Sequence, residues 1–146
     1  KTRVSSLTTV YEVEEAMEIY PGIYTTGGLY ANALSEQALV IDRGKDIVVL
    51  TGCAHPGVVN IVREAKALVQ SKENGDDIPV ALVLGGFHLM EASRAEVKAI
   101  IEDLLTLGVQ RVSPTHCTGD SAISLFQESF GTNFIPAGVG KVITLP

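Results

Sequence analysis

The sequence predicts an α/β fold in which strands and helices alternate to form a layered sheet. Three apolar runs, near residues 47–50, 80–84 and 109–113, are each followed by a turn and then by a helical pattern. The three histidines and two cysteines of the chain all lie in those three turns. Because sites in open α/β sheets form at the carboxyl ends of the strands, we expect the turns to converge on one edge of the sheet if these strands are neighbours.

Length and composition indicate a single folded domain. A chain of 146 residues can bury roughly two-thirds of its unfolded surface. Hydrophobic residues make up 46% of it and the mean hydropathy is +0.27, which excludes a disordered protein. We expect no domain boundary within residues 1–146, which divide into a β-rich lead-in over 1–35 and a βαβαβ part over 36–146 that carries the histidine turns.

Charge and cysteine content restrict the partners and the location. The net charge of −6 and the pI of about 5.0 argue against nucleic acid and against an anionic membrane surface, since both attract basic proteins. No apolar run approaches the roughly 20 residues of a membrane-spanning helix. Both cysteines lie near histidines and no signal peptide is recognisable, so we expect a reduced, cytoplasmic protein. The chain starts with Lys1 and no initiator methionine, which predicts a processed or partial chain.

The first half of the chain predicts short strands, a hairpin and a helix. Residues 11–13 and 18–20 alternate as exposed strands do, and Ala16-Met17 between them favours a helical turn. Residues 37–41 and 47–50 form a predicted hairpin. Apolar residues then recur at helical spacing over 57–70, and a charged loop over 72–77 ends this unit.

The second half predicts two further strand–helix units. The run 78–84 is almost wholly apolar, which is typical of a strand covered on both faces. Ser93 and Glu96 match a capping box that starts a helix over 93–107, which Gly108 ends.

The predicted strand over 109–115 leads into the third histidine turn. An amphipathic helix from Ala122 to Phe130 follows. Residues 134–135 and 141–145 have the composition of closing strands.

The side chains of the three turns are those that bind transition metals. Imidazole and thiolate are ligands of zinc and similar ions, and a catalytic site needs about three protein ligands plus an open position for water. His55, His88 and His116 are far apart in sequence, so only the fold could bring them together. A single histidine after a strand is more often a packed side chain, but three at equivalent positions indicate a metal or catalytic site.

Other residues of the turns have two interpretations each. Cys53 is either a small buried residue or a functional group, and beside His55 it could act as an activated nucleophile. Cys117 should point to the opposite side from the histidine before it if the turn is extended, which favours a structural role. Asp120 could orient a histidine, but capping a helix that begins at Ser121 is favoured.

Three motifs resemble the C-terminal half of a metallo-β-lactamase-fold hydrolase. They are Thr-Gly-Cys-Ala-His-Pro-Gly at 51–57, Gly-Gly-Phe-His-Leu at 85–89 and His-Cys-Thr-Gly at 116–119. They are most similar to a branch of prokaryotic metal-dependent hydrolases with a T-G-C-[SA]-H turn, some of them linked to pterin-precursor synthesis in archaea. The resemblance covers residues 23–140 and implies an αββα sandwich with one or two metal ions, zinc or else manganese or iron, at the sheet edge.

The resemblance also implies site residues and a missing half. His116 matches the family's last metal-ligand histidine. Cys53 occupies the position of a metal-bridging aspartate and His55 lies two residues on, so both are candidate ligands. His88 is a candidate ligand or proton donor. The family's H-x-H-x-D-H turn does not occur in this sequence, which implies that the N-terminal half was removed or lies on another polypeptide.

These features predict a metal-dependent hydrolase that acts on a small ester, phosphoester or lactone through a metal-bound water. We expect it to need the absent N-terminal half, or to associate with itself, because the apolar stripes over 57–70 and 93–107 call for cover and large apolar patches are rare on monomers. The alternatives are a non-catalytic α/β binding or regulatory module and a thiol enzyme based on Cys53.

Overall fold

The computed structural model describes residues 2–31, 33–70 and 77–146. Its strands are β1 (Met17–Tyr20), β2 (Ile23–Thr25), β3 (Leu29–Ala31), β4 (Leu34–Glu36), β5 (Leu39–Asp42), β6 (Ile47–Thr51), β7 (Val80–Gly86) and β8 (Val112–Thr115). Its helices are α1 (Thr2–Ser5), α2 (Val58–Gln70), α3 (Arg94–Thr106) and α4 (Asp120–Phe130). Six strands form one sheet in the order β1-β2-β5-β6-β7-β8, and β3 pairs with β4 in a separate hairpin.

One edge of the sheet collects the ends of three parallel strands. β6 pairs with β7 and β7 with β8 in parallel, whereas β1, β2, β5 and β6 are joined by antiparallel pairing. The registers place Thr51 beside Gly85 and Gly86 beside Thr115. The three strands therefore end side by side, and the predicted convergence of the three turns is confirmed.

Helices α2, α3 and α4 pack on one face of the sheet. Their apolar stripes share one hydrophobic cluster with side chains of the strands, among them Val49, Val83 and Val112. Phe87, in the second histidine turn, meets Phe126 of α4 edge to face with the ring centroids 5.3 Å apart. The sheet itself covers the apolar stripes of the helices. The contact between Phe87 and α4 fixes the chain just before His88.

The opposite face of the sheet carries a smaller apolar cluster. Its buried members are Val48, Ala81 and Leu82. The partly buried side chains packed on them come from the strands and from the last residues of the chain: Ile41, Leu50, Leu84, Ile135, Ile143 and Leu145. Within the described residues this cluster contains no helical side chain. None of the helices described is long and apolar enough to span a membrane.

The predicted helices agree with the structure. The pattern over 57–70 forms α2 and the pattern over 93–107 forms α3. At the start of α3 the Glu96 N–H donates to the Ser93 hydroxyl, and the Ser93 N–H donates to the Glu96 carboxylate, so the capping box is confirmed.

Several predictions near the chain ends are wrong. Residues 11–13 lie outside regular structure, and Met17 begins β1 instead of a helical turn. Residues 134–135 and 141–145 do not form strands: Phe134 makes only an isolated bridge with Val112, and the apolar side chains further on pack against the sheet face instead. Proline and glycine at 136, 138 and 140 interrupt the pairing that a strand requires.

The start of α4 differs from the prediction for Asp120. Asp120 is the first residue of α4 and Gly119 is its N-cap, so Asp120 does not cap a helix from Ser121. The charged loop predicted over 72–77 lies, apart from Asp77, outside the described residues.

Candidate metal centre

The turn after β6 begins the site. Ala54 adopts a left-handed conformation (φ 58°), as does Gly57 (φ 92°), and the Gly57 N–H donates to the Ala54 carbonyl oxygen at 2.9 Å. This tight turn lets the chain pass from strand to helix within a few residues. It places Cys53 and His55 at the sheet edge, both half-buried.

Two glycines at the end of β7 leave room for the neighbouring turns. A Cβ at Gly85 would lie 2.0 Å from the Thr51 carbonyl oxygen, so β6 and β7 approach too closely there for any side chain. A Cβ at Gly86 would lie 2.5 Å from the Cys117 Sγ and 2.6 Å from the His116 Cε1. The Gly-Gly pair is therefore needed by the packing of the site itself.

The third turn is a short 3₁₀ helix over His116–Thr118. The buried Thr118 hydroxyl donates to the Thr115 carbonyl oxygen at 2.7 Å and accepts the Phe87 N–H at 3.1 Å. The Leu89 N–H donates to the Cys117 carbonyl oxygen at 3.2 Å. These bonds join the second and third turns into one rigid edge.

Cys53, His116 and Cys117 form a compact group of ligand-grade side chains. The Cys53 Sγ lies 3.3 Å from the His116 Nε2, and the ligand atoms of all three residues lie within 4.8 Å of one another. The Thr115 hydroxyl contacts the other ring nitrogen, the His116 Nδ1, at 2.9 Å. That contact orients the imidazole with its Nε2 toward the thiol.

Glu36, His55 and His88 form a second group on the same edge. One Glu36 carboxylate oxygen lies 2.8 Å from the His55 Nδ1, and the other accepts the His55 backbone N–H at 2.8 Å. The His55 and His88 rings are in contact, with their centroids 4.2 Å apart. His88 itself is exposed and has a positive φ of 52°. A strained backbone at an exposed histidine is typical of a functional turn.

Electrostatics differ between the two groups. Burial raises the pKa of the Glu36 carboxyl, but the hydrogen bonds and charge of His55 outweigh it, so the pKa lies below its usual value. The carboxylate form of Glu36 is thus favoured. In the other group the neighbouring Cys117 thiol and burial raise the pKa of the Cys53 thiol. Without an added cation, Cys53 is therefore held as a neutral thiol.

The chemistry of the first group fits a metal ion. Two sulfurs and one imidazole nitrogen form a Cys₂His donor set, which in zinc enzymes leaves a fourth position open for water or substrate. Sulfur and nitrogen bonded to zinc at about 2.3 and 2.0 Å in a tetrahedron lie roughly 3.5 Å apart. The observed 3.3 Å between the Cys53 Sγ and the His116 Nε2 matches that separation.

A cleft beside the two groups gives access to solvent. It has a volume of about 430 Å³ and is lined by His88, Met90, Glu91, Ala92 and Cys117. The cleft therefore borders both groups, because His88 contacts His55 of one group and Cys117 contacts Cys53 of the other.

The structure brings the predicted residues together in pairs. Cys53 lies with His116, and His55 lies with His88. Sequence analysis did not predict that Cys117 and Glu36 belong to these groups. Cys117 was expected to point away, but the 3₁₀ turn replaces the extended turn on which that expectation depended, and its Sγ faces Cys53. Glu36 belongs to the β3–β4 hairpin, whose position relative to the sheet edge no sequence pattern signals.

Comparison with known proteins gives sequence relatives in one archaeon. No protein-family model matches the chain. The 7,8-dihydropterin-6-methyl-4-(beta-D-ribofuranosyl)-aminobenzene-5'-phosphate synthase of Methanocaldococcus jannaschii is 33% identical over 154 aligned residues, covering 88% of this chain and 50% of that protein. An uncharacterized protein of the same organism is 29% identical over 133 residues, covering 91% of this chain and 44% of its own length. The chain thus spans about half the length of these relatives.

A solved structure is similar over nearly the whole chain. The crystal structure of Tm1679, a metal-dependent hydrolase of the beta-lactamase superfamily, matches with a TM-score of 0.70 at 24% sequence identity. The match covers 94% of this chain and 58% of that protein. With its mixed sheet and its helices on one face, the chain has the metallo-β-lactamase fold.

Proposed function

We propose that this chain is the metal-binding part of a metal-dependent hydrolase of the metallo-β-lactamase superfamily. The observation that carries the proposal is the convergence of Cys53 and His116 at the carboxyl edge of the parallel strands, with the Cys53 Sγ 3.3 Å from the His116 Nε2. Thiol and imidazole groups placed so closely are a donor set for zinc or a similar transition metal. The fold that the chain shares with a metal-dependent hydrolase supports the same conclusion.

In this proposal each histidine has a separate task. Cys53 and His116 are metal ligands. His55 is a further ligand through its Nε2, because Glu36 occupies its Nδ1, an arrangement that fixes the tautomer of metal-binding histidines. His88, exposed at the cleft, is placed to donate a proton to the leaving group of a substrate held there. When bound, the metal would supply a nucleophilic water with a pKa near 7 and polarise the bond to be cleaved.

The substrate class is proposed from the cleft and from the relatives. The cleft of about 430 Å³ has the size of a small-molecule site. The name of the relative with 33% identity contains a pterin and a ribofuranosyl 5'-phosphate. We therefore propose a small ester, phosphoester or lactone as substrate, with a phosphorylated molecule favoured, and a prokaryotic, cytoplasmic setting.

We also propose that a complementary segment completes the domain. The chain spans about half the length of its relatives, and one sheet face carries the apolar side chains of Leu50, Leu84 and Ile41 only partly buried. A second layer on that face would remove them from water. The proposed occupant is the N-terminal half of the same domain, which would bring the remaining metal ligands.

A thiol enzyme is the second candidate, because Cys53 lies 3.3 Å from an imidazole nitrogen. The direction of the pKa shift opposes it. The thiolate is the nucleophile, whereas the neighbouring Cys117 and burial raise the pKa of Cys53.

Metal analysis and thiol labelling distinguish these functions. We expect the purified chain, reduced and dialysed, to retain about one equivalent of zinc, iron or manganese, and a His116→Ala variant to lose it. Hydrolysis of nitrophenyl esters and phosphodiesters, assayed with the upstream half co-expressed, should stop on chelation and return with metal. A metal-free protein with rapid iodoacetate labelling of Cys53 would instead show the thiol enzyme. A protein with neither property would be a binding module.

A further inference from the structure

We propose that Cys117 is itself a metal ligand, so that two thiolates bind the ion together with the imidazole ligands and the site selects thiophilic metals. This inference rests on the proposed function, because it concerns the same centre. It adds a ligand that the resemblance does not supply, since the resemblance gives a role to His116 and to the position of Cys53 but none to Cys117.

The local backbone conformation places Cys117 beside His116. In an extended turn two successive side chains point to opposite sides. Here residues 116–118 form a 3₁₀ turn after an extended Thr115, and this turn brings Cys117 to the same side as His116. The turn is fixed by the buried Thr118 hydroxyl, which bonds to the neighbouring turn. The position of the Cys117 thiol is thus determined by the fold.

The contacts of the Cys117 thiol leave it able to bind a metal ion. The Cys117 Sγ makes a long contact of 3.6 Å with the Cys53 carbonyl oxygen and also neighbours the Cys53 thiol, and both are weak bonds to give up. Its distance to the other two ligand atoms is at most 4.8 Å. The separation in a tetrahedral zinc site is roughly 3.5–3.8 Å from the bond lengths. A shift of about one ångström, within the range of small side-chain rotations, would close the site.

The space beside Gly86 allows the thiol and the imidazole to approach each other. Gly86 lies against both His116 and Cys117, and a Cβ there would come within 2.6 Å of each side chain. The absence of a side chain at this position leaves the thiol and the imidazole free to approach. On its other side Cys117 lines the solvent cleft, so an exchangeable ligand can reach the centre.

The donor set predicts which ions bind. Thiolates favour zinc, cobalt and cadmium, whereas magnesium and manganese favour oxygen ligands. A site with one thiolate and imidazoles would discriminate less than a site with two. We therefore expect strong preference for zinc and cadmium over manganese.

Cobalt(II) substitution tests the proposal by counting sulfur ligands. The reduced 146-residue chain is titrated with Co²⁺, and the near-ultraviolet sulfur-to-cobalt charge-transfer absorption is recorded for wild type, Cys117→Ser and Cys53→Ser. Each single variant should retain about half of the wild-type intensity at saturation, because one of two thiolates remains. Zinc should displace the cobalt, and manganese should not.

Met90→Leu is the matched control. Met90 lines the same cleft as Cys117 and is exposed, and the variant removes a sulfur while conserving volume. Its charge-transfer intensity should equal that of wild type. Circular dichroism of each variant establishes that a lost signal does not come from unfolding.

The outcomes separate this inference from the proposed function. A folded Cys117→Ser variant with unchanged charge-transfer intensity overturns the role of Cys117 alone. A chain that binds no cobalt overturns both. Two-thiolate binding without any metal-dependent hydrolysis supports Cys117 as a ligand and overturns the proposed hydrolase.

Discussion

Gly85 shows how strictly single residues set the sheet edge. A Cβ at this position would lie 2.0 Å from the backbone oxygen of Thr51, and the φ of 141° is one that other residues rarely adopt. We expect Gly85→Ala to lower the free energy of unfolding by about 3 kcal/mol or more. Urea denaturation measures this loss. Gly138→Ala is the control, because nothing lies within 4 Å of its added Cβ; equal losses in both variants would contradict the close-approach argument.

Glu36 provides a second prediction at the residue scale. Its carboxylate contacts the His55 Nδ1, and partners of this kind raise the basicity of ligand histidines. Glu36→Gln should therefore weaken zinc binding about tenfold or more, as measured by competition with a chromophoric chelator. Glu91→Gln, which removes a charge from the nearby cleft, should leave the affinity within about twofold. Equal effects of the two variants would mean that only overall charge matters.

The residue scale is also where sequence analysis is least complete. Cys53, His55, His88 and His116 could be chosen because they follow apolar runs, and strand order alone brings such turns together. Glu36 could not, because its role depends on how a two-stranded hairpin is positioned. For Cys117 the deciding quantity was the local backbone conformation, which a pattern of side chains does not contain.

At the scale of elements, the start of α3 allows a direct test. The Ser93 hydroxyl accepts the Glu96 N–H at 3.3 Å and so satisfies one of the free donors at the helix start. Ser93→Ala should lower the free energy of unfolding by about 1 kcal/mol, read from thermal or urea unfolding. Ser121→Ala, an exposed serine in the first turn of α4, should change it by less than about 0.5 kcal/mol. No difference between the variants would show that the capping box contributes nothing.

The β5–β6 hairpin predicts a pH dependence of stability. Two nitrogens of Arg43 contact the Asp46 carboxylate at 2.6 and 2.7 Å, and this bond holds the pKa of Asp46 below its usual value. A carboxyl with a lowered pKa stabilises the fold above its unfolded pKa of about 3.9 and loses that contribution as the pH falls through its folded pKa. Asp46→Asn should therefore be less stable than wild type at pH 7, with the difference shrinking on acidification below pH of about 4.

Denaturant unfolding at a series of pH values, from about 7 downward through the acid range, measures the effect. Asp103→Asn is the control, because its ion pair with Arg63 is exposed and 3.7 Å long and such pairs contribute little. A stability difference for Asp46→Asn that stays constant with pH would contradict the ion-pair explanation.

Elements with strong periodicity were predictable and weakly patterned ones were not. The stripes of α2 and α3 repeat over 13 residues each, so burial of one face determines the structure. Residues 141–145 have the composition of a strand, but Ile143 and Leu145 pack, partly buried, against the sheet face without backbone pairing, and Val142 stays exposed. Composition indicates burial, and it does not indicate whether a free sheet edge is within reach.

At the scale of the whole molecule, the two sheet faces are unequal. Three helices cover one face, while the other is covered by strand side chains and the last residues of the chain. The almost wholly apolar run over 78–84 made a sheet covered on both faces predictable, and the motifs indicated the fold. The proposed second layer on the other face could not be specified from this chain, because apolar side chains indicate burial without indicating which residues cover them.

Binding of the proposed complementary segment should depend on the apolar side chains of the second sheet face. Leu84 and Leu50 lie on the second sheet face, and burying a charge there without a partner would be costly. Co-expression with the coding sequence upstream of Lys1, followed by light scattering, should yield a one-to-one complex for wild type. Leu84→Lys should weaken that complex about tenfold or more, as measured by titration calorimetry. Leu105→Lys, which places the same charge on an exposed position of α3, should not weaken it. If the chain instead forms a homodimer that Leu84→Lys dissociates, a second copy and not the complementary segment occupies this face.

A chain that remains a monomer with the upstream sequence present, and binds zinc tightly alone, would show that its sheet needs no second layer.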